Sequence, residues 1–342
     1  MRIALISPLW ERVPPFRYGG IELVVKLLTD ELVRRGHEVT LFASGDSITS
    51  AKLVSVHDKA LRLDRSIVEP GVYEHLILSE LFHNTDRFDI IHSHFGFGAL
   101  SFAELVKTPT VHTLHGAFTP ENQKIWNYFP NQPLISISNA QREPCPHLNY
   151  IHTVYNGIDT SVYEYNPNPE GSPYLAFVGR ISPEKGPIGA IEVAKATGLP
   201  LKMAGKVDAV DRKYYQEQVE PLIDGEQIQY LGEVSHEEKV KILAGATLTL
   251  FPITWREPFG LVMIESMATG TPVLGMNMGS VPEVIADGET GFVCNSLAEM
   301  IEVVPNATKL DRQTCREYVV SRFSVESMTD EYEKAYARVL GS

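Results

Sequence analysis

The sequence predicts an α/β protein built from two doubly wound domains. Three observations carry that prediction. Short β-branched runs alternate with helical patterns, the same alternation restarts half-way along, and 342 residues suit two cores of ordinary size better than one. With 44% hydrophobic and 21% charged residues, the composition is that of a soluble globular chain and argues against extensive disorder.

The first half opens on the strand-like run RIALISP, and EVTLFAS, DIIHSH, TPTVHTLHG, PLISISN and IHTVYNGI follow as further strands. The clearest helix is IELVVKLLTDELVRRG. There Ile21, Val24, Val25, Leu28 and Leu32 recur at spacings of three and four, Arg34 and Arg35 fill the last turn, and Gly36 suits a C-cap. Strand followed by helix, repeated, reads as βαβ units and a parallel sheet. The pattern breaks at residues 155–174, which are rich in Asn, Pro and Gly and include Tyr163 and Tyr165 without periodic support. The grammar then restarts with YLAFVGRI, LKMAG, IQYLGEV, TLTLFPI, TPVLGMNMG and TGFVCN. We expect a first domain over 1–155, a second over 156–324, and a closing helix over about 325–342 that crosses back to the first. The two would face each other across a cleft. Ligands of open parallel sheets bind beyond the carboxyl ends of the strands, so the chemistry should follow strands.

Charge excludes some partners. The net charge is −13, with 14 Lys+Arg against 16 Asp+Glu in residues 1–155 and 16 against 27 in the rest. No basic face suits nucleic acid, and no strongly basic amphipathic helix suits an anionic membrane. No run reaches the apolar length of a membrane span, and the opening MRIALISP lacks the character of a secretory leader. Cys145, Cys294 and Cys315 are few and widely spaced, which fits a reducing compartment. The expected location is the cytoplasm.

Three post-strand stretches could carry chemistry. SPLWERVPPFRYGGIELVV places Gly19 and Gly20 at a helix start, where backbone N–H groups can approach an anion. It is not a GxGxxG fingerprint, which weakens a dehydrogenase reading. FVGRISPEKG, after the seventh run, sets Arg180 and Lys185 five residues apart beside a Gly turn, as a planar fork and a point charge able to hold a diphosphate. Solvated surface cations are the plainer explanation of that pair. In TLTLFPITWREPFGLVMIESMATG a helix should start near Gly260, with the N–H groups of Phe259, Gly260 and Leu261 pointing out of it. Glu257 lies before that helix and Glu265 inside it. Carboxylates are costly to bury without partners, so both suit a polyhydroxylated ligand.

His92 and His94 share one side of a strand, half of a metal pattern, but no matching ligand pair is evident and a structural role is favoured. Asp208 and Asp211 read as a solvated loop. Trp10, Trp126 and Trp255 are large aromatics whose commoner fate is a core or a cleft wall.

These motifs together resemble the retaining glycosyltransferases of family 4, whose fold is GT-B. The resemblance runs through the GG loop with Gly19 and Gly20, HSHFG and LHG with His94 and His115, VYNGID, VGRISPEKG, EPFGLVMIE, GTPV and GSVPEVIADGETG to the closing FSVESMTDEYEKAY helix. VPPFRYGGIELVV and RGHEVTLFASGDS look most like the branch with avilamycin-type antibiotic-tailoring transferases.

The resemblance implies that Arg180 and Lys185 hold the donor diphosphate and stabilise its charge as it leaves. Glu265 would accept the ribose hydroxyls and Glu257 the hydroxyls of the donor sugar, assisted by the N–H groups of Phe259, Gly260 and Leu261. Gly19 and Gly20 would let the N-terminal loop approach the phosphates, and His115 would face the sugar or acceptor. The base would lie near Gly205 and Leu231 to Val234. His94, Trp126 and Phe129 are the acceptor-side candidates. The donor would be a nucleotide sugar, UDP-linked as among relatives (UDP-glucose for example), needing no cofactor. No D-x-D motif is present, which points to a metal-free donor site. The near-neutral first half suggests a small-molecule or oligosaccharide acceptor. Two other readings compete: a nucleotide-sugar isomerase on the same fold, for which added acid and base groups are not evident, and a non-catalytic nucleotide-sugar-binding protein. A pyridoxal-phosphate phosphorylase is disfavoured by length.

Overall fold

The structure is a computed structural model that describes residues 1–16 and 19–341. It divides into two compact units, residues 1–158 with 325–342, and residues 159–324. The division falls at Ile158 rather than Tyr155, because Val154 and Ile158 are buried in the first unit and the Val154 N–H still bonds the Ser136 carbonyl at 2.8 Å.

The first unit contains β1 (Arg2–Ile6), β2 (Glu38–Phe42), β3 (Lys52–Val54), β4 (Ile90–Ser93), β5 (Thr110–Leu114), β6 (Leu134–Ser136) and β7 (Tyr150–Thr153). Its helices are α1 (Gly20–Arg34), α2 (Pro70–Phe82), α3 (Leu100–Ala103) and α4 (Asn122–Tyr128). All strands pair in parallel, in the order β3-β2-β1-β4-β5-β6-β7. Six of these strands are the six sequence runs; β3 is additional, and three residues at a sheet edge are too short to show a period. In α1 the spacing becomes packing: Val24, Val25, Leu28 and Leu32 are fully buried, and Gly36 follows the Arg35 cap.

The helix Val325–Leu340 belongs to this first unit. Tyr332 and Tyr336 are fully buried, Arg35 bonds Asp330 at 2.6 Å, His37 bonds Glu333 at 2.7 Å, and His152 bonds Glu331 at 2.6 Å. The apolar face supplies burial, and the rim pairs hold the helix in register.

The second unit contains β8 (Leu175–Val178), β9 (Leu201–Ala204), β10 (Ile228–Tyr230), β11 (Leu248–Phe251), β12 (Val273–Met276) and β13 (Gly291–Cys294). Its helices are α5 (Pro187–Thr197), α6 (Arg212–Tyr214), α7 (His236–Gly245), α8 (Leu261–Ala268), α9 (Val281–Val284), α10 (Leu297–Ala307) and α11 (Arg312–Arg322). The parallel sheet runs β10-β9-β8-β11-β12-β13. With β3 counted, FVGRISPEKG follows the eighth strand, not the seventh. The segment read as an unstructured break is packed: Tyr163 is 2% exposed, and the Asn166 N–H bonds the Thr269 carbonyl.

Each sheet reverses its strand order next to its first strand, at β1/β4 and at β8/β11. Loops leaving such a pair in opposite directions open a crevice at the carboxyl ends, where ligands of this architecture bind. Arg180 and Lys185 follow β8, and Glu257 and Glu265 follow β11. Among the described residues no helix is long and apolar enough to cross a membrane.

Candidate active site

The two loops of the second unit are stitched to each other. The Thr254 N–H bonds the Glu184 carbonyl at 3.0 Å, and the Thr254 hydroxyl bonds the Pro183 carbonyl at 3.2 Å. Two glycines make this close packing possible. Gly186 has φ 72°, and a Cβ there would lie 1.9 Å from the Pro252 carbonyl oxygen; Gly279 has φ 58°, and a Cβ would lie 2.3 Å from that of Glu257. Beside Gly279, the Ser280 N–H bonds the Glu257 carbonyl at 3.0 Å and its hydroxyl bonds the Phe259 carbonyl at 2.7 Å. The backbone carrying Glu257 is therefore pinned from both sides.

Glu257 is 8% exposed, and its carboxylate accepts hydrogen bonds from the Lys185 ammonium and, at 2.9 Å, from the Trp255 indole N–H. The Lys185 Nζ also lies 5.0 Å from the Trp255 ring centroid. The cation and the indole N–H offset the cost of burying this carboxylate. Arg180 bonds Glu184 at 2.7 Å and lies 3.6 Å from Asp208 and 4.0 Å from Asp211; Lys206 bonds Asp208 at 2.9 Å. Asp208 and Asp211, read in the sequence as solvated, thus form part of an acidic collar that orients the guanidinium. Burial pushes the Asp211 carboxyl up, and the neighbouring Glu184 adds to it.

Glu265 is 4% exposed on α8, where its Oε1 accepts from the Tyr163 hydroxyl at 2.8 Å and from the Lys239 ammonium at 2.6 Å. Burial and then the Glu265 charge push the Tyr163 hydroxyl far up, so it stays protonated and donating. Lys239 is placed by the start of α7, a reciprocal cap in which the Glu238 N–H bonds the Ser235 hydroxyl and the Ser235 N–H bonds the Glu238 carboxylate. Both donors meet the same carboxylate oxygen, Oε1. Gly260 caps α8 with φ 81° and Leu261 opens it, and the Met263 N–H bonds the Gly260 carbonyl at 3.0 Å. The Phe259 side chain is core, against Phe323. Gly205 and Leu231 follow β9 and β10, and Leu231 is exposed; Val234 packs against the cluster around Ala176 and Leu243.

In the first unit, Gly20 begins α1, and a Cβ on Gly19 would lie 2.6 Å from Pro15 Cβ. Arg17 and Tyr18 of the same loop lie outside the described residues. His115, just beyond β5, is partly buried, and its Nε2 lies 2.8 Å from His94 Nδ1. The three acceptor-side candidates are buried or partly buried within the first unit. His94 is 1% exposed and meets His115 instead of solvent. Trp126, 1% exposed, is buried with Leu100, Leu114, Leu134, Cys145 and Leu148, and Phe129 packs on that cluster. A large apolar ring in a helix beside a sheet gains more from burial than from waiting for a ligand. His92 has the structural role expected of it: its Nδ1 lies 2.7 Å from the Tyr336 hydroxyl and its Nε2 2.7 Å from the Thr113 hydroxyl.

Burial lowers the imidazolium pKa of His112 and His115 to about 4, and that of His92 and His94 well below the ordinary range. These folded pKa values lie below the unfolded one, so the unfolded chain takes up protons first and stability is lost as pH falls from about 6.5 towards 4. Glu22 acts the other way: burial raises it to about 7, so its contribution is lost as pH rises from 4.5 to 7. Four histidines outweigh one glutamate. We expect an unfolding free energy about 3 kcal/mol or more lower at pH 5 than at pH 7. Urea unfolding at the two pH values checks this, and unchanged midpoints would refute buried neutral histidines.

Comparison with known proteins decides the family. The Glycosyltransferase Family 4 model matches residues 18–162, and the Glycosyl transferases group 1 model continues over residues 163–304. The chain belongs to the family-4 glycosyltransferases of GT-B fold. A glycogen synthase of Mycobacterium tuberculosis is 25% identical, with 98% of this chain and 94% of that protein covered. The crystal structure of AviGT4, a glycosyltransferase involved in avilamycin A biosynthesis, matches with TM-score 0.76 and 26% identity over 99% of this chain and 98% of that one. Anabaena Alr3699/HepE in complex with UDP-glucose matches with TM-score 0.76 and 18% identity, over 99% and 100% of the two chains. As a family-4 glycosyltransferase, the chain has its charged residues where a GT-B second unit carries strand-end loops. Reading the sequence missed Tyr163, Lys239, Glu184 and the bond from Trp255. GSVPEV was quoted as a motif, but nothing local revealed that Gly279 and Ser280 hold the Glu257 loop.

Proposed function

We propose that this glycosyltransferase is a retaining hexosyltransferase that moves a hexose from a nucleotide sugar, UDP-linked, to a hydroxyl of a small-molecule or oligosaccharide acceptor, without a metal. One observation carries the reading: Arg180 and Lys185 follow β8, Glu257 lies in the loop after β11 and Glu265 on the helix α8 that this loop enters, each charge already oriented by a protein partner. Neighbours of the same fold crystallised with UDP and with UDP-glucose support the choice of donor.

In this reading Arg180 and Lys185 hold the diphosphate. Glycosyl transfer passes through an oxocarbenium-like centre while the departing diphosphate gains charge. Preorganised cations aimed at that charge lower the barrier more than they favour the ground state. Glu265 Oε2 takes the vicinal ribose hydroxyls, and Glu257 takes hydroxyls of the sugar with the N–H groups at Gly260 and Leu261. The acceptor attacks from the leaving-group side and gives its proton to the donor phosphate, so no enzyme nucleophile is required. Of the first unit's residues, Gly19 and Gly20 serve the donor phosphates and His115 the sugar or acceptor.

The test is binding and hydrolysis of UDP-, GDP- and ADP-hexoses by the purified chain, with and without EDTA. Binding of one nucleotide sugar should survive EDTA and collapse in Arg180→Ala and Glu265→Ala. A folded protein that binds none of them would overturn the proposal; consumption of donor to give an isomerised sugar nucleotide would replace transfer with isomerisation.

A further inference from the structure

The first unit contains a pair of histidines whose proton positions can be worked out. His94 is buried, its Nδ1 lies 2.8 Å from His115 Nε2, and among the described residues its Nε2 has no hydrogen-bond partner. A neutral imidazole has one donor and one acceptor nitrogen, so the contact can be made in two ways. If His94 carried its proton on Nε2, a buried N–H donor would have no acceptor. Orphaned buried N–H groups are the rarest and costliest kind of unsatisfied polar group, about 1–3 kcal/mol. If the proton is on Nδ1, only a lone pair is left unmet, and His94 donates to His115 Nε2.

We propose that His94 is a positioning residue that fixes His115 in the tautomer with its proton on Nδ1, so that His115 presents a hydrogen-bond donor to an oxygen of the substrate and cannot serve as a base. His115 Nε2 is occupied by the His94 proton, and Nδ1 already carries the ring's own proton. The His115 backbone is held as well. The Gln141 amide NH2, buried, donates to the Leu114 carbonyl at 2.9 Å and to the Gly116 carbonyl at 2.8 Å, one residue either side of His115. Gln141 is oriented in turn by the Ile137 N–H, which bonds its Oε1 at 2.9 Å. Behind His94, His92 is locked between Tyr336 and Thr113, with its ring centroid 4.0 Å from that of His94, so His94 has no room to turn away. Burial keeps all three rings neutral near pH 7. A donor here suits a hydroxyl or phosphate oxygen, and it leaves the acceptor's proton to be taken by some other group.

The catalytic consequence rests on the transferase reading; the tautomer does not. The experiment is long-range 1H–15N correlation on the full chain with 15N-labelled histidine, assigned with His115→Asn, alongside UDP-glucose hydrolysis. We expect His115 to show a protonated Nδ1 and an unprotonated Nε2. His94→Asn puts an amide N–H where Nδ1 was and should preserve this tautomer. His94→Phe should release it and lower kcat by about tenfold with KM little changed, a loss that His94→Asn restores. A protonated Nε2 on His115 in the unaltered chain overturns the inference, whether or not His94→Phe folds; so does a His94→Phe spectrum with the tautomer unchanged. Absence of UDP-glucose turnover in the unaltered chain counts against the transferase reading alone.

Discussion

Replacing Lys185 with methionine is expected to lower turnover of the nucleotide sugar by about 100- to 1000-fold, the size of effect seen when one preorganised group facing developing charge is removed. The effect should fall on kcat more than on KM, since the diphosphate gains charge as the bond breaks. Lys185 also neutralises buried Glu257, which would keep only the Trp255 indole N–H among its two side-chain donors. Breaking one member of a buried pair costs about 3–5 kcal/mol of stability, so a loss of fold has to be separated from a loss of catalysis. The double variant Lys185→Met with Glu257→Gln separates the two. It should recover the unfolding midpoint and leave turnover low. Turnover in Lys185→Met within threefold of the original would remove the cation from the mechanism.

Replacing Glu265 with alanine should weaken nucleotide binding by about 2–3 kcal/mol, roughly 30- to 150-fold in Kd, because under the proposed function it removes a charged hydrogen-bond acceptor for the ribose hydroxyls. The same change strands the Lys239 ammonium, which is bonded to Glu265 at 2.6 Å and has the Tyr163 ring 5.9 Å away. Removing both charges, in Glu265→Leu with Lys239→Met, should restore stability without restoring binding. Calorimetric titration with UDP reads the affinity, and urea unfolding reads the fold. If the double variant bound UDP as tightly as the original, Glu265 would be a structural carboxylate and the ribose would lie elsewhere.

Both predictions concern residues visible in the sequence whose partners were not. EPFGLVMIE shows two carboxylates in an otherwise apolar stretch, and that anomaly is local. What holds them is remote: Lys185 lies 72 residues from Glu257, and Tyr163 lies 102 residues from Glu265. Tyr163 lay in a segment with no period, so nothing marked it as a buried donor. His94 follows a strand whose end was identified, and Trp126 lies on α4, a helix the sequence pattern did not reveal. Whether a side chain there meets solvent or the next layer is decided by the elements packed above. Trp126 meets the cluster around Leu114 and Leu134, and His94 meets His115.

The sequence by itself determined the alternation of strands and helices, because the period of apolar residues and the turn residues between runs are properties of neighbouring positions. Among the described residues, twelve of the thirteen strands could be read that way; β3 is too short to have a period. It also determined that Arg180, Lys185, Glu257 and Glu265 follow strands, and hence which end of a parallel sheet they occupy. Only the tertiary structure decided the strand order that brings β8 beside β11, the packing of Gly186 on Pro252 and of Gly279 on the Glu257 backbone, and the donors that meet the two buried carboxylates. The reason is range. A hydrophobic period is felt within a few residues, whereas the cost of burying a charge is met by whichever group the completed fold places within hydrogen-bonding distance.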